Sequence, residues 1–200
     1  MTTGAALEAI VLAAGAGSRA GGGKLGRPWR GAPLLAGALA AAFAAPVRRV
    51  VVVSGADPRI PALARTFAQS RGLESRLVLV EAADHAEGMA ASLRVALAAL
   101  PDDAAAAFVF LGDMPRVPHG VAARLVEALG GAALAAAPVF EGRRGHPVLF
   151  ASGLFGELAE LRGDRGARDV LDRLGSRLAL VETDDPGVLF DVDRPADFRS

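Results

Sequence analysis

The chain has 200 residues, 52% of them hydrophobic, with 22 basic and 22 acidic side chains. That length and apolar content suffice for one sizeable core, so a single domain spanning 1–200 is expected. Balanced charge without a dense basic run argues against nucleic acid or an anionic membrane as partner. The absence of cysteine excludes disulfides, thiolate zinc sites, iron–sulfur clusters and cysteine nucleophiles. The longest apolar stretch, Ala32 to Val47, is broken by Pro33, Gly37 and Pro46 and is too short to span a bilayer. The N-terminus carries Glu8 before its apolar run and lacks a basic leader, so a cytoplasmic location is expected.

The first candidate strand, 8–13, runs into a loop in which residues 10–35 hold seven glycines together with Arg19 and Lys24. Glycines after a buried strand let backbone N–H groups approach phosphate oxygens, and fixed cations then neutralise the phosphate charge. Three phosphate-binding patterns compete. Gly15-Ala16-Gly17-Ser18-Arg19-Ala20 fits the dinucleotide fingerprint, but glycines and prolines forbid a helix until about residue 33. The second strand also ends without an acid until Asp57. A P-loop requires glycine at 18 and a hydroxyl after Lys24, where Ser18 and Leu25 stand. The third pattern is the signature loop of nucleotidyltransferases. Leu12, Ala13, Ala14, Gly15, Gly17, Ser18, Arg19, Gly21, Lys24, Leu25, Pro28, Gly31, Pro33 and Leu34 lie close to it. A flexible surface loop accounts for the glycines but not for Arg19, Lys24 and Pro33 together.

Beyond the loop, helix-like windows at 33–45, 60–71, 88–100, 118–130, 152–161 and 166–175 alternate with strands at 49–54, 76–81, 106–111, 133–139, 146–150 and 177–182. The first four strands are continuous apolar runs, as expected when helices cover both sheet faces. Repeated βαβ units imply a mostly parallel α/β sheet. The short link 141–145 implies one antiparallel element. In the 88–100 window, Gly88 permits close approach and Ser92 sits in the first helical turn, so both are candidates to face a ligand. The 106–111 strand ends in Gly112-Asp113-Met114-Pro115, at the carboxyl edge where open α/β sheets bind ligands. Asp113 is a candidate Mg²⁺ ligand; on the plainer reading it starts a turn before Pro115, and the Gly-rich loop favours the metal. Gly142-Arg143-Arg144-Gly145-His146 and Gly163-Asp164-Arg165-Gly166-Ala167-Arg168 are Gly-framed, Arg-rich loops suited to an anion. His146 has no second histidine at metal spacing and reads as a hydrogen-bonding residue. Near the C-terminus, Asp191 and Asp193 project to one side of an extended segment, and either can supply a second metal carboxylate. Pro195 and Asp197 there also suit the start of a helix.

The segments LAAGAGSR…GK, EGMAASL, LGDMPRV, GRRGHPVLF, GDRGAR and FDVDRPADF resemble, in order, the cytidylyltransferases of molybdenum cofactor biosynthesis, within the MobA-like nucleotidyltransferases. The resemblance implies a three-layer, Rossmann-like (GT-A-like) domain that transfers CMP from CTP to a molybdopterin-type acceptor and releases pyrophosphate. It implies that Leu12, Ala13, Ala14, Gly15, Gly17, Ser18, Arg19, Lys24, Gly88 and Ser92 bind the nucleotide. Arg19, Lys24 and Asp113 would be catalytic, and Asp113 with Asp193 or Asp191 would hold Mg²⁺. His146, Asp164, Arg165, Gly166 and Arg168 would face the acceptor. Implied partners are CTP, molybdopterin and a molybdoenzyme or insertion chaperone. Guanylyl-transferring relatives typically carry glycine where Ala14 stands, so its methyl should narrow the base slot and favour CTP. Two departures concern substrate detail: an aromatic usual before Gly88 is missing from Ala83–Ala86, and Arg194 replaces a common Thr. Guanylyl transfer, a sugar-phosphate or phospholactate acceptor, and a non-catalytic pterin chaperone are the competing readings.

Overall fold

The structure is a computed structural model that describes residues 6–17, 22–163 and 167–199. Its elements in chain order are β1 (Leu7–Leu12), β2 (Pro28–Trp29), β3 (Ala32–Pro33), α1 (Leu35–Ala44), β4 (Val50–Ser54) and α2 (Ile60–Gln69). Next come β5 (Leu77–Glu81), α3 (Met89–Ala98), β6 (Ala106–Leu111), α4 (Val121–Ala128) and β7 (Ala135–Phe140). β8 (Arg143–Arg144), β9 (Val148–Ala151), α5 (Phe155–Ala159), α6 (Arg168–Leu174) and β10 (Leu178–Glu182) complete the set. Every strand and helix window read from the sequence corresponds to one of these, with ends moved by up to three residues. Among the described residues no helix is long and apolar enough to cross a membrane.

The main sheet runs β10-β7-β9-β6-β1-β4-β5, with β8 hanging on β7. β1 pairs in parallel with both β4 and β6, β4 with β5, and β7 with β10. β9 runs antiparallel to both neighbours. The link into it turns at Glu141 (φ 48°) and Gly142 (φ 71°), the two positive angles that a type I′ hairpin demands. Alternation along each strand divides the core into two layers. Ala9, Val11, Val50, Val52, Phe108 and Phe110 pack toward α1, α2 and α4. Ile10, Val51, Val53, Ala107 and Val109 pack toward α3, α5 and α6. Burial of both faces is what makes these strands near-continuous apolar runs.

Among the described residues, the Gly/Pro-rich stretch after β1 forms no regular helix before α1. It holds one 3-10 turn, Lys24–Gly26, and the two-stranded β2–β3 hairpin. The C-terminal segment crosses back over the carboxyl ends of the strands through two backbone contacts too tight for a side chain. A Cβ on Gly187 would lie 2.1 Å from the Arg116 carbonyl oxygen, and one on Gly145 would lie 2.3 Å from that of Val188. The Val192 amide then donates to the Asp113 carbonyl at 3.0 Å, which lays the 191–193 segment beside the end of β6.

α1 approaches the same turn at Gly37, where a Cβ would stand 2.4 Å from the Pro115 carbonyl oxygen and 2.6 Å from its Cα. An exposed helical Gly→Ala change gains up to about 1 kcal/mol, whereas overpacking costs about 1–3 kcal/mol. Gly37→Ala is therefore expected to lower Tm, by roughly 2–8 °C for a chain of this size. A rise in Tm on thermal unfolding would show that the Asp113–Pro115 turn does not depend on this contact.

Candidate functional site

The end of β1, the Gly loop, the start of α3 and the end of β6 enclose a cavity of about 540 Å³. Leu12, Ala13, Ala14, Gly15, Gly17, Lys24, Gly88, Ser92, Asp113 and Asp193 all line it. Ser18, Arg19, Asp164, Arg165 and Gly166 lie outside the described residues. The loop is held to the sheet edge by backbone bonds from Ala13 N to Val53 O and from Ala56 N to Ala14 O. It closes on itself through Gly22 N to Gly17 O and Gly23 N to Ala16 O. Gly17 (φ 61°) and Gly23 (φ 55°) take left-handed conformations that cost glycine nothing. A Cβ on Gly17 would meet the Lys24 side chain at 2.9 Å, so this glycine also makes room for the lysine stem.

Lys24 is the centre of the cavity's electrostatics. Its Nζ donates to Asp113 Oδ2 at 2.7 Å, to Asp193 Oδ1 at 2.7 Å and to the Val192 carbonyl at 3.0 Å. Burial alone would lower its pKa, but the Asp113 and Asp193 carboxylates outweigh that cost and hold the ammonium above its ordinary 10.5. Asp191 is not part of this contact. It lies exposed, with its carboxyl raised by partial desolvation and by the neighbouring Asp193 and Asp113 carboxylates. The 195–199 stretch forms a 3-10 turn capped by Asp197, whose Oδ2 accepts from Asp193 N at 3.0 Å and Arg194 N at 2.7 Å. The capping and the placing of Asp193 are thus one arrangement.

The two carboxylates suit a divalent cation. They converge on a single nitrogen at hydrogen-bond distance, a cation position already shaped by two distant segments of chain. Among the described residues no group of three or more His, Asp or Glu gathers, and Mg²⁺ commonly takes one or two carboxylates and completes its shell with phosphate and water.

A second cavity, of about 890 Å³, adjoins the first and shares Leu12, Met89 and Leu111 with it. β6, β9, α3 and α6 wall it with apolar side chains, while Arg143, Arg144, His146 and Arg168 line its polar side. Arg144 is anchored by Asp172 at 2.8 Å. The His146 backbone is fixed by donation to Val188 O at 2.9 Å. Its buried Nδ1 has no hydrogen-bond partner among the described residues. Burial pushes the His146 imidazole below its ordinary 6.5, against a hydrogen bond with the Val109 backbone and the pull of the Asp113 carboxylate.

Several residues in and around the cavities were not singled out by the sequence. His85 and Met89 line the first cavity, Asp172 the second, and Asp57 with Arg59 braces the Gly loop. His85 falls in the 83–86 segment noted only for its missing aromatic. Ala14 lines the first cavity, whose base slot its methyl is expected to narrow. Ala14 is 2% exposed, and its Cβ packs toward Gly55, where an added Cβ would come within 2.9 Å of it. Any effect of Ala14 on base choice therefore passes through the packing of that wall.

A family model described as the MobA-like NTP transferase domain matches residues 9–178. The molybdenum cofactor cytidylyltransferase of Escherichia coli (strain K12) is 25% identical over 193 residues, which cover 96% of this chain and 94% of the relative. The crystal structure of Rv0371c from Mycobacterium tuberculosis H37Rv matches at 28% identity and TM-score 0.79, over 98% of this chain and 97% of that one. A further structure of Rv0371c, with TM-score 0.76, is a complex with manganese. A nucleotidyl transferase from Methanothermobacter shares the fold at TM-score 0.78 and 22% identity, over 98% of this chain and 95% of that one.

Because the folded protein disfavours the His146 imidazolium, the unfolded chain binds the extra proton first as pH falls below about 6.5. The stability associated with a neutral His146 is full above that pH and is lost as pH falls toward the depressed folded value. Between pH 7.5 and 5, the Tm of the wild-type protein is expected to fall more steeply than that of His146→Gln. Parallel curves would contradict the neutral, buried imidazole.

Proposed function

The chain belongs to the MobA-like NTP transferase family, and from that premise we propose that it transfers CMP from CTP to the terminal phosphate of a molybdopterin-type acceptor, releasing pyrophosphate. The observation that carries the reading is the Lys24 ammonium held at 2.7 Å from both Asp113 and Asp193, beside a Gly-rich loop at a strand's carboxyl end. A structural ion pair has no need of two carboxylates and a cation converging inside a cavity. A nucleotide site needs both, one cation for the phosphates and two acids for Mg²⁺.

In this reading the first cavity takes the nucleotide. Backbone N–H groups of the loop beyond Ala13 meet the phosphates, with Ser18 and Arg19 on the same loop. Gly88 and Ser92 at the N-terminus of α3 approach base and ribose. Asp113 and Asp193 would hold Mg²⁺, which would supply neutralisation of the phosphate charge. With the metal bound there, Lys24 would be free to donate to the β- and γ-phosphates instead. The second cavity takes the acceptor, its apolar walls against the pterin and Arg143, Arg144 and Arg168 toward its phosphate, with Asp164, Arg165 and Gly166 on the adjoining loop. His146, neutral, offers Nδ1 as a hydrogen-bond partner.

The cavities adjoin at Leu12, Met89 and Leu111, so the acceptor oxygen and the α-phosphorus would meet where they join. An acceptor phosphate has a second pKa of about 6 and is mostly dianionic near neutrality, so the attacking oxygen needs no general base. Catalysis is then alignment plus charge neutralisation. CTP is the expected donor, and a molybdoenzyme or an insertion chaperone is the proposed recipient of the product.

Mass spectrometry of products from molybdopterin with Mg²⁺ and either CTP or GTP tests the reading. The expected product is the cytidylylated pterin, with pyrophosphate released stoichiometrically. Preferred guanylyl transfer would overturn the choice of base, and absence of any nucleotidylated pterin would overturn the acceptor. Asp113→Asn is expected to remain folded and to lose at least about 10²-fold in kcat, the scale of one strong electrostatic stabiliser.

A further inference from the structure

Arg59 lines neither cavity, yet it touches the nucleotide loop at the residue before Lys24. We infer that Arg59, locked in place by Asp57, is a positioning residue for nucleotide binding: it fixes the exit of the Gly loop and so aims Lys24 into the site. The inference rests on the assignment of that loop to the nucleotide made above.

The geometry is that of a brace. Arg59 Nη2 donates to the Gly23 carbonyl at 3.0 Å and to Asp57 Oδ2 at 2.8 Å. Arg59 Nε and the Arg59 backbone N–H both donate to Asp57 Oδ1, at 2.9 and 3.0 Å. Asp57 thus takes the guanidinium in the planar, two-pronged arrangement that lysine cannot reproduce. Its carboxylate is 7% exposed, and the Arg59 hydrogen bond holds its pKa below the usual carboxylate value. The fit at the loop is close: a Cβ on Gly23 would stand 2.2 Å from Arg59 Nη2, and one on Gly26 would stand 3.2 Å from Cζ. Ala56, two residues earlier than Pro58, grips the start of the loop through its bond to Ala14 O. The short connection after β4 therefore holds the loop at both ends, and Lys24 leaves from the second grip.

A stabilising role by itself fits poorly. The Arg59 side chain is 58% exposed, and exposed ion pairs typically contribute only about 0–1 kcal/mol. What the brace fixes is direction. Three bonds from Lys24 Nζ converge within a cavity, so a small shift at Gly23 misplaces the ammonium for the carboxylates and for the phosphates alike.

Calorimetric titration of CTP with Mg²⁺ into the full chain tests this, with Lys24→Ala as the control for the loop itself. Arg59→Ala is expected to weaken CTP binding about tenfold, equivalent to about 1.4 kcal/mol, while pterin-phosphate binding and Tm stay at wild-type values. Arg59→Lys restores only part of the loss. Asp57→Asn weakens CTP binding less than Arg59→Ala does, and adds nothing in the Arg59→Ala background, because Asp57 acts through Arg59. Wild-type CTP affinity in Arg59→Ala, with Lys24→Ala weakened, would overturn the inference and leave the loop assignment standing. Wild-type affinity in Lys24→Ala as well would overturn the loop assignment itself. Full additivity of Asp57→Asn and Arg59→Ala would overturn the coupling between them.

Discussion

The site depends on one ammonium group shared by two carboxylates. Lys24 Nζ draws together the Gly loop after β1, the end of β6 through Asp113, and the C-terminal segment through Asp193 and the Val192 carbonyl. These pieces are far apart in sequence, and bare carboxylates converging this closely would repel. The lysine cation compensates that repulsion in the free protein. In the proposed function the same arrangement preshapes a position for a harder, doubly charged cation once a nucleotide offers the lysine new partners. Much of the chain's unusual backbone serves this convergence: the left-handed glycines of the loop, the Gly37 approach to Pro115, and the tight crossings at Gly145 and Gly187.

Two neighbouring cavities differ in what lines them. The first combines backbone N–H groups, a lysine and two acids, the parts a metal-bound triphosphate requires. The second combines apolar walls with arginines, suited to a flat ring system that carries a phosphate. The ends of β1 and β6, half-buried at Leu12 and Leu111, lie between them, so the sheet sets where the two cavities adjoin and the loops supply their polar groups. The manganese complex of Rv0371c is consistent with a divalent metal in proteins of this fold and family.

Most of the fold was legible because both faces of the sheet are covered: continuous Val/Ala/Leu strands and alanine-rich helices declare themselves by run length and spacing. Local turn chemistry was less legible. The link 141–145 reads as a hairpin, but β8 takes up Val139 and Phe140 of β7, so β9 meets β7 at only Ala135 and Ala136. Its longer pairing is with β6, four residues from Ala106 to Val109. Within the site, residue types at strand ends revealed Lys24, Asp113 and the Asp191/Asp193 pair, but not which aspartate the lysine meets. That follows from the path of the C-terminal segment, which long-range packing sets. Arg59 was invisible for a similar reason, since an Asp-x-Arg spacing says nothing until the Gly23 carbonyl lies beside it. How closely Ala14 packs against Gly55 was not legible either, because sequence does not show which face of a loop is already packed.

The claim that Lys24 and a divalent metal exchange at one pair of carboxylates is tested most directly by Mn²⁺ binding, followed by electron paramagnetic resonance in the wild-type protein and in Lys24→Ala. Without nucleotide, the wild-type protein must give up three bonds to its own cation before Asp113 and Asp193 can take the metal. Lys24→Ala is therefore expected to bind Mn²⁺ at least about tenfold more tightly than wild type, a difference of about 1.4 kcal/mol. In the wild-type protein CTP should promote Mn²⁺ binding and reduce that difference. Equal Mn²⁺ affinity in the two proteins without nucleotide, or weaker binding in Lys24→Ala, would contradict it.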